Sequence, residues 1–228
     1  MNNKILIIAA HPDDEVLGCG AIIAKYSKTN EIYVLILGEG ITSRYKNREE
    51  AKSGEILDLK NKSIEAGKIL GVKETIFFDF PDQRFDSLPF LEIVKRVEEI
   101  IVEINPGIIY THSPSDLNLD HRITFEAVLT ATRPKPGLCV KKILAFEVIS
   151  STEWSFGKIN KQFCPNIFED ISEYIELKIK AFNAYDSEKR EYPHSRSKEA
   201  IISLANRRGA SVGLKSAEAL ELIREIND

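Results

Sequence analysis

The chain has 228 residues, 43% of them hydrophobic and 29% charged, which is typical of a globular protein with one core. A formal net charge of -4 gives no electrostatic reason to expect nucleic acid or an anionic membrane as partner. The three cysteines, Cys19, Cys139 and Cys164, are spaced too widely for a disulfide framework or a zinc knuckle. We therefore expect a single cytoplasmic domain, residues 1–228, with no membrane-spanning segment and no leader peptide.

Short apolar runs alternate with segments of helical period along the first two thirds of the chain. The predicted strands cover residues 4–9, 31–37, 74–80, 108–111 and 141–149, and the predicted helices cover residues 15–27, 48–70, 88–104 and 121–132. The second strand is nearly all apolar, as are parallel strands buried on both faces. This order predicts an α/β fold with one Rossmann-like, doubly wound, mainly parallel sheet of about five or more strands.

The alternation of strands and helices stops near residue 150. Residues 155–168 are loop-like with one candidate short strand, and helices are predicted over 171–185, 198–206 and 217–226. No linker separates this helical C-terminal portion as a second domain, so we expect it to pack on the sheet edge and to wall a site there. Its helices also offer a surface through which copies of the chain would form a homo-oligomer.

The densest polar cluster stands where the first predicted strand ends. Residues 6–15 read Leu-Ile-Ile-Ala-Ala-His-Pro-Asp-Asp-Glu. A turn followed by a helix cap would explain the proline and one aspartate, but not an imidazole and three carboxylates together. Ligands of open α/β sheets bind at the carboxyl ends of the strands, where polar loops after the other predicted strands also meet. The stretch therefore indicates a functional site.

Two imidazoles and one carboxylate from this edge form a candidate metal-binding set. His11 and Asp14 follow the first strand, and His121 lies at the start of the helix after the fourth. This set is typical of catalytic zinc with one position open for water, and it also suits non-haem ferrous iron. Metal availability and the hydrolytic surroundings favour zinc. Asp13 is next to a ligand but free to point elsewhere, which makes it the candidate general base.

Further polar residues lie on the loop that precedes His121. We expect Asp116 and Asp120 to lie just behind the metal ligands, and Asp120 also to cap the helix. These residues, together with Asn118, favour the interpretation of His121 as a ligand rather than as a packed helix residue. His112, at the end of the fourth strand, is either a supporting group behind the ligands or part of the core.

Two motifs resemble a known enzyme family. They are Ala10-His11-Pro12-Asp13-Asp14-Glu15 and Asp116-Leu117-Asn118-Leu119-Asp120-His121-Arg122, and they resemble the PIG-L/LmbE family of N-acetyl-sugar deacetylases. The resemblance extends over nearly the whole chain, through residues 38–40, 43–44, 130–134, 151–154, 193–197 and 208–209.

The resemblance implies a fold, a metal and a reaction. The fold is Rossmann-like, zinc is held by His11, Asp14 and His121, and Asp13 is the general base. The reaction is hydrolysis of the acetyl group from an N-acetylated amino sugar conjugate, usually of N-acetylglucosamine, with acetate and a free amine as products.

The chain departs from the family at Asn118, where many members carry a histidine. Asparagine can donate a hydrogen bond, so Asn118 can serve the oxyanion, but it cannot supply a proton near neutral pH. The general acid is therefore open. Either Asp13 returns the proton that it takes from water, or His194 in the polar loop of residues 192–197 supplies one.

Four charged residues of the loops are candidate substrate-binding groups. Arg44 and Arg84 would hold sugar hydroxyls or a phosphate on the aglycone, while Asp82 and Glu153 would accept hydrogen bonds from sugar hydroxyls. Trp154 either stacks on a sugar ring or belongs to the core. The predicted partner is a small N-acetylated sugar conjugate whose aglycone the sequence does not define.

Two other functional classes are compatible with these residues. The carboxylate-rich edge would also suit another amidase or a phosphoesterase on the same scaffold. The asparagine at position 118 leaves open a non-catalytic module that binds sugars or nucleotides. An intact set of metal ligands argues against that module, because buried charges without a role are costly to keep.

Overall fold

The computed structural model describes residues 3–137, 139–158 and 161–227. The strands are β1 Lys4–Ala9, β2 Glu31–Gly38, β3 Glu74–Phe80, β4 Ile108–His112, β5 Lys142–Phe146, β6 Ile167–Asp170 and β7 Ala217–Glu225. The helices are α1 Asp14–Tyr26, α2 Ser53–Leu70, α3 Phe90–Ile104, α4 Leu119–Ala131, α5 Ile175–Phe182 and α6 Lys198–Ala210. All seven strands join one sheet, in the order β3-β2-β1-β4-β5-β7-β6.

The first five strands are parallel and set the place of the site. β1 pairs with β2 on one side and with β4 on the other, so the direction of winding reverses between β1 and β4. A crevice opens outside the carboxyl ends of the strands at such a reversal, and ligands of open α/β sheets bind there. The prediction of an α/β fold with a mainly parallel sheet is confirmed.

The apolar run of β1 is explained by burial on both faces of the sheet. Ile5 and Ile7 pack in one core with residues of α1, α2, α5 and α6. Leu6 and Ile8 pack in a second core with residues of α3 and α4. Because helices cover both faces, alternate residues of the strand are equally apolar.

The helix predicted over residues 217–226 is wrong, because this segment is strand β7. Its alanine, glutamate and leucine residues favour helix locally. However, β7 pairs antiparallel with both β5 and β6, and Leu220 is fully buried between them. Strand formation depends strongly on such tertiary pairing, which a local pattern does not contain. The sheet is therefore mixed, and the C-terminal portion is only partly helical.

Smaller differences affect the ends of helices. The α2 helix begins at Ser53, after a short 3-10 turn over Arg48–Glu50, rather than at residue 48. The α5 helix is shorter than the predicted 171–185, whereas α6 extends to Ala210. No helix of the described residues is both long and apolar enough to cross a membrane.

The α1 helix is kinked at Cys19, between its first turns and its remainder. Past the kink, the N–H groups of Ala21 and Ile22 donate to the carboxylate of Glu218 at 3.1 and 2.7 Å. Lys178 Nζ donates to the carbonyl of Leu17 and to Glu218, both at 2.7 Å. A buried ion pair from α5 and β7 thus completes the hydrogen bonds of α1 and ties the C-terminal portion to the helix that begins at the site.

Candidate metal and catalytic site

Three ligand atoms meet where β1 and β4 end. Asp14 opens α1, and its Oδ2 accepts the backbone N–H of His11 at 2.9 Å. The same oxygen lies 3.4 Å from His11 Nδ1 and 3.2 Å from Nε2 of His121, which lies in the first turn of α4. One ligand atom from each residue lies within 4.8 Å of the others, and all three residues are buried. The predicted metal ligands therefore converge.

Each of the two imidazoles also faces a carboxylate on its other nitrogen. His11 Nε2 lies 3.0 Å from Asp120 Oδ2, and His121 Nδ1 lies 3.2 Å from Asp116 Oδ2. Metal-bound histidines in proteins are almost always backed in this way, which fixes the ring and makes the ligand more basic. The chemistry and arrangement of the donors therefore fit a divalent transition metal. Asp120 and Asp116 thus each contact the imidazole of one candidate ligand.

The two supporting carboxylates, Asp116 and Asp120, are fixed by hydrogen bonds that they accept from neighbouring loops. Asp120 accepts the backbone N–H groups of Gln83 and Phe85 at 2.7 and 3.0 Å. Asp116 accepts the hydroxyls of Ser151 and Thr152, the latter at 2.6 Å, and both of these residues follow β5. Loops after β3 and β5 thus fix the groups that orient the ligands.

The charges of this cluster compensate one another. Burial lowers the pKa of His121, but the charges of Asp14 and Asp116 outweigh it and raise that pKa to about 9. Burial likewise lowers the pKa of His11, yet Asp120 and Asp14 raise it well above its usual value. The neighbouring carboxylates therefore favour the protonated form of both imidazoles. A cation bound there would replace those protons.

His112 is a neutral packing residue next to the ligands. Its Nε2 accepts the backbone N–H of Ala10 at 2.8 Å. Its ring stacks on that of His121 with centroids 3.9 Å apart, and burial lowers its pKa to about 3. His112 thus fixes the end of β1 and supports the ring of His121 from the core side.

Asp13 is held by contacts separate from those of Asp14. Asp13 has φ 103, a left-handed conformation that costs a non-glycine residue about 1–3 kcal/mol. Its N–H donates to Glu15 Oε2 at 3.0 Å, and Glu15 is held in turn by the hydroxyl of Tyr185. On the other side, Asp13 Oδ2 lies 2.8 Å from Arg196 Nη1. Burial raises the pKa of Asp13, and Arg196 opposes that rise.

Asp13 and the candidate ligands border one polar cleft of about 570 Å³, measured out to its open mouth. Its walls come from the loops after β1 to β5 and from the segment between α5 and α6. Besides the ligands and Asp13, the polar lining consists of Ser43, Arg44, Asp82, Gln83, Asn118, Ser150, Ser151, Glu188 and Arg196.

Besides Asp13, three of the predicted substrate or catalytic residues lie on this lining. Asn118 caps α4, with its Oδ1 accepting the N–H of Asp120 at 2.9 Å. Asp82 accepts both the N–H and the hydroxyl of Ser43 and has its other oxygen 3.3 Å from His11 Nε2. Asp82 thus lies beside the ligand set and forms, with His11 and Asp120, a second group whose candidate ligand atoms lie within 4.8 Å of one another. Arg44 also borders the cleft.

The structure does not place Arg84, Glu153 and His194 on the cleft lining. Arg84 is exposed at the turn before a 3-10 helix. Glu153 is folded back onto its own turn and accepts the N–H groups of residues 150 and 151. His194 Nδ1 accepts the N–H of Arg196 at 3.0 Å, and its ring lies edge-on to Trp154. The carboxylate of Glu153 and Nδ1 of His194 are thus engaged in local turns.

The sequence interpretation missed Arg196 and Glu188. Arg196 belongs to a polar loop that it had singled out, but the histidine of that loop was the expected functional group. No sequence pattern relates an arginine to an aspartate 183 positions away. Only the clustering of polar residues in that loop gave a signal.

The chain resembles deacetylases in sequence. It matches the family model "PIG-L: GlcNAc-PI de-N-acetylase" over residues 6–132, more than half of its length. It is 30% identical over 191 residues to the Escherichia coli K12 protein named "Uncharacterized deacetylase YaiS", covering 80% of this chain and 90% of that one. It is also 30% identical over 196 residues to the diacetylchitobiose deacetylase of Thermococcus kodakarensis, covering 81% and 70%.

Solved structures share the fold across different reactions. The N,N'-diacetylchitobiose deacetylase of Pyrococcus horikoshii superposes with a TM-score of 0.78 at 21% identity, over 97% of this chain and 84% of that one. The 4-carboxy-2-hydroxymuconate hydratase GalB of Pseudomonas putida gives 0.77 at 20% identity, over 99% and 98%. Fold alone therefore does not fix the reaction.

Fold and site together define an α/β protein with a buried His-Asp-His set at the carboxyl edge of a parallel sheet. The matched residues 6–132 contain that whole set and the adjacent Asp13. The chain belongs to the PIG-L family of GlcNAc-PI de-N-acetylases.

Proposed function

We propose that the protein is a zinc-dependent hydrolase that removes the acetyl group from an N-acetylated amino sugar conjugate. The observation that carries this proposal is the convergence of His11, Asp14 and His121, each imidazole backed by a carboxylate, beside Asp13 in one polar cleft. The family match supports hydrolysis of an amide to a sugar nitrogen.

The ligand set fits zinc better than a hard cation. Two nitrogen donors and one carboxylate are common in catalytic zinc sites, whereas magnesium and calcium prefer all-oxygen sets. When bound, the zinc ion supplies Lewis acidity toward the amide carbonyl and lowers the pKa of water.

We assign the role of general base to Asp13. Its Oδ2 is engaged by Arg196, while Oδ1 accepts no hydrogen bond from the described residues, so one oxygen remains for a proton from water. Burial raises its pKa, which brings the carboxylate closer to the range in which general bases work well.

We assign to Asn118 a hydrogen bond to the carbonyl oxygen as negative charge develops there. Its Oδ1 is used to cap α4, and Nδ2 donates to no acceptor in the described part of the chain. An amide can stabilise an oxyanion but cannot protonate the leaving amine. His194 lies off the cleft lining, so Asp13, having accepted the proton from water, is the group that returns it to the amine.

We expect the sugar to bind on the arginine side of the cleft, the side formed by Arg44, Arg196 and Glu188. Arg44 is 43% exposed in its side chain, and Gln83, Ser150 and Ser151 add hydroxyl and amide partners. Such groups suit several hydroxyls of a pyranose ring, and the open mouth leaves room for an aglycone.

The decisive experiment measures acetate release from a panel of N-acetylglucosamine, diacetylchitobiose, sugar nucleotides and glycolipids, with zinc added to chelator-treated protein. We expect zinc-dependent release from at least one of them. Equal release with and without zinc, or phosphate release in place of acetate, would contradict the proposal. Zinc binding without any turnover would instead indicate a binding module.

A further inference from the structure

Arg196 is anchored by three separate parts of the chain. Its Nη1 lies 2.8 Å from Asp13 Oδ2 and 2.9 Å from Glu188 Oε2, and its Nε donates to the hydroxyl of Ser150 at 2.7 Å. The side chain is only 22% exposed and borders the cleft. Because a guanidinium is a rigid planar fork, contacts at two of its nitrogens fix its position and its plane together.

The contact between Arg196 and Asp13 determines the orientation of the Asp13 carboxylate. Glu15 fixes the backbone of Asp13, but the torsions of the side chain need a partner of their own. Arg196 takes Oδ2, while Oδ1 accepts no hydrogen bond from the described residues, and Asp13 borders the cleft. A general base works only when one lone pair is aimed at the proton that it removes.

The position of Arg196 depends in turn on Glu188. The side chain of Glu188 is 5% exposed, with Oε2 on Arg196 and Oε1 2.5 Å from Arg44 Nη2. A buried carboxylate requires compensating charge, and here two arginines provide it. One ion-pair chain, Asp13–Arg196–Glu188–Arg44, therefore runs from the candidate base to the residue proposed to hold the sugar.

We propose that Arg196 is a positioning residue that sets the Asp13 carboxylate for proton transfer, and that Glu188 aligns Arg196 with Arg44. This inference rests on the proposed deacetylase function. It assigns no contact with the reacting atoms to Arg196. It does assign a role in the reaction to the loop before α6.

The test compares Arg196→Gln, Arg196→Lys and Arg196→Ala with Arg208→Gln in the zinc-loaded full chain. Arg208 is a matched control, because it is 27% exposed and pairs with Glu147 through Nε and Nη2 at 2.8 and 2.7 Å away from the catalytic cleft. Steady-state kcat and KM are measured on the substrate that the wild type deacetylates best. Zinc affinity is measured by chelator competition, and folding by thermal unfolding.

We expect kcat of Arg196→Gln to fall about 10²-fold, the cost of misplacing a reacting group by about 1 Å. KM should change less than about threefold, since ground-state binding is largely kept. Zinc affinity should match that of the wild type. Arg196→Lys, which keeps the charge without the fork, should be intermediate, and millimolar guanidinium should partly restore Arg196→Ala while equal sodium chloride does not.

Several results would overturn this inference. An unchanged kcat in Arg196→Gln would do so, as would an equal loss in Arg208→Gln or a loss that follows zinc affinity. Should Arg196→Gln fail to fold, the other two variants decide. A kcat of Arg196→Lys equal to that of the wild type would overturn the inference. So would an activity of Arg196→Ala that guanidinium does not raise. A wild type that releases no acetate overturns the proposed function and this inference with it.

Discussion

The two sides of the cleft hold their charged groups by different means. On the metal side, His11 and His121 lie between carboxylates, so protons and a cation compete for the same nitrogens. On the arginine side, Arg44 and Arg196 both pair with Glu188 through planar guanidinium groups. The metal side is therefore sensitive to pH and metal, while the arginine side contributes fixed geometry.

Asp13 stands between the two sides, and its replacement should have the largest effect. Asp13→Asn keeps the size of the side chain but removes the basic oxygen, so kcat should fall about 10²- to 10⁴-fold. Zinc affinity should remain near that of the wild type, because the ligands stay in place. Acetate release and chelator competition measure the two quantities, and full activity with bound zinc would refute the assignment.

Asn118 tests whether the metal side needs an additional donor. Asn118→Asp keeps an oxygen that caps α4 but has no amide N–H, so we expect kcat to fall about 10²-fold. Stability should hold, because Asp caps helices as well as Asn does. Asn118→Ala should lose activity and also about 1 kcal/mol of unfolding free energy through the lost cap. Denaturant unfolding separates the two effects.

Asp116→Asn should weaken zinc binding rather than the chemical step. Removing the carboxylate behind His121 should lower zinc affinity about 10- to 100-fold, with activity largely recovered at saturating zinc. Glu153→Gln is the control, because that carboxylate caps a turn outside the cleft. Equal zinc affinities in the two variants would argue against the supporting role of Asp116.

The pH dependence of zinc binding follows from the raised pKa values of the metal side. His121, with a pKa of about 9, and His11 must lose their protons before they can bind zinc. Affinity should therefore increase with pH up to about 9, by as much as tenfold per unit for each proton released. Calorimetry in buffers of different ionisation enthalpy counts those protons. An affinity that does not change between about pH 6 and pH 8 would contradict the description of the metal side.

His194 should show the smallest effect. His194→Asn keeps an acceptor near the position of Nδ1, which receives the N–H of Arg196. We expect kcat within about threefold of the wild type, whereas loss of a general acid would cost about 10²- to 10⁴-fold. A large loss of kcat at unchanged zinc affinity would identify His194 as the general acid. Asp13 would then act only as the base, and His194 would protonate the leaving amine.

The fold could be predicted where the local pattern and the tertiary environment agree. β1 is covered on both faces by helices, so its apolar run identified it with its bounds. β7 could not be predicted, because its composition favours helix and only pairing with β5 and β6 makes it a strand. The same holds for the substrate residues. Arg84 and Glu153 have suitable chemistry, but their turns carry them away from the cleft.

The sequence by itself brought together two candidate metal ligands and the candidate base. His11, Asp13 and Asp14 are adjacent in the chain directly after a strand, and covalent adjacency keeps them together in any fold that preserves that strand. Only the tertiary structure decided what surrounds them. The carboxylates behind each imidazole, and the Arg196 that faces Asp13 from 183 positions away, are brought there by long-range packing. Such packing depends on burial and charge compensation between distant segments, which no local pattern records.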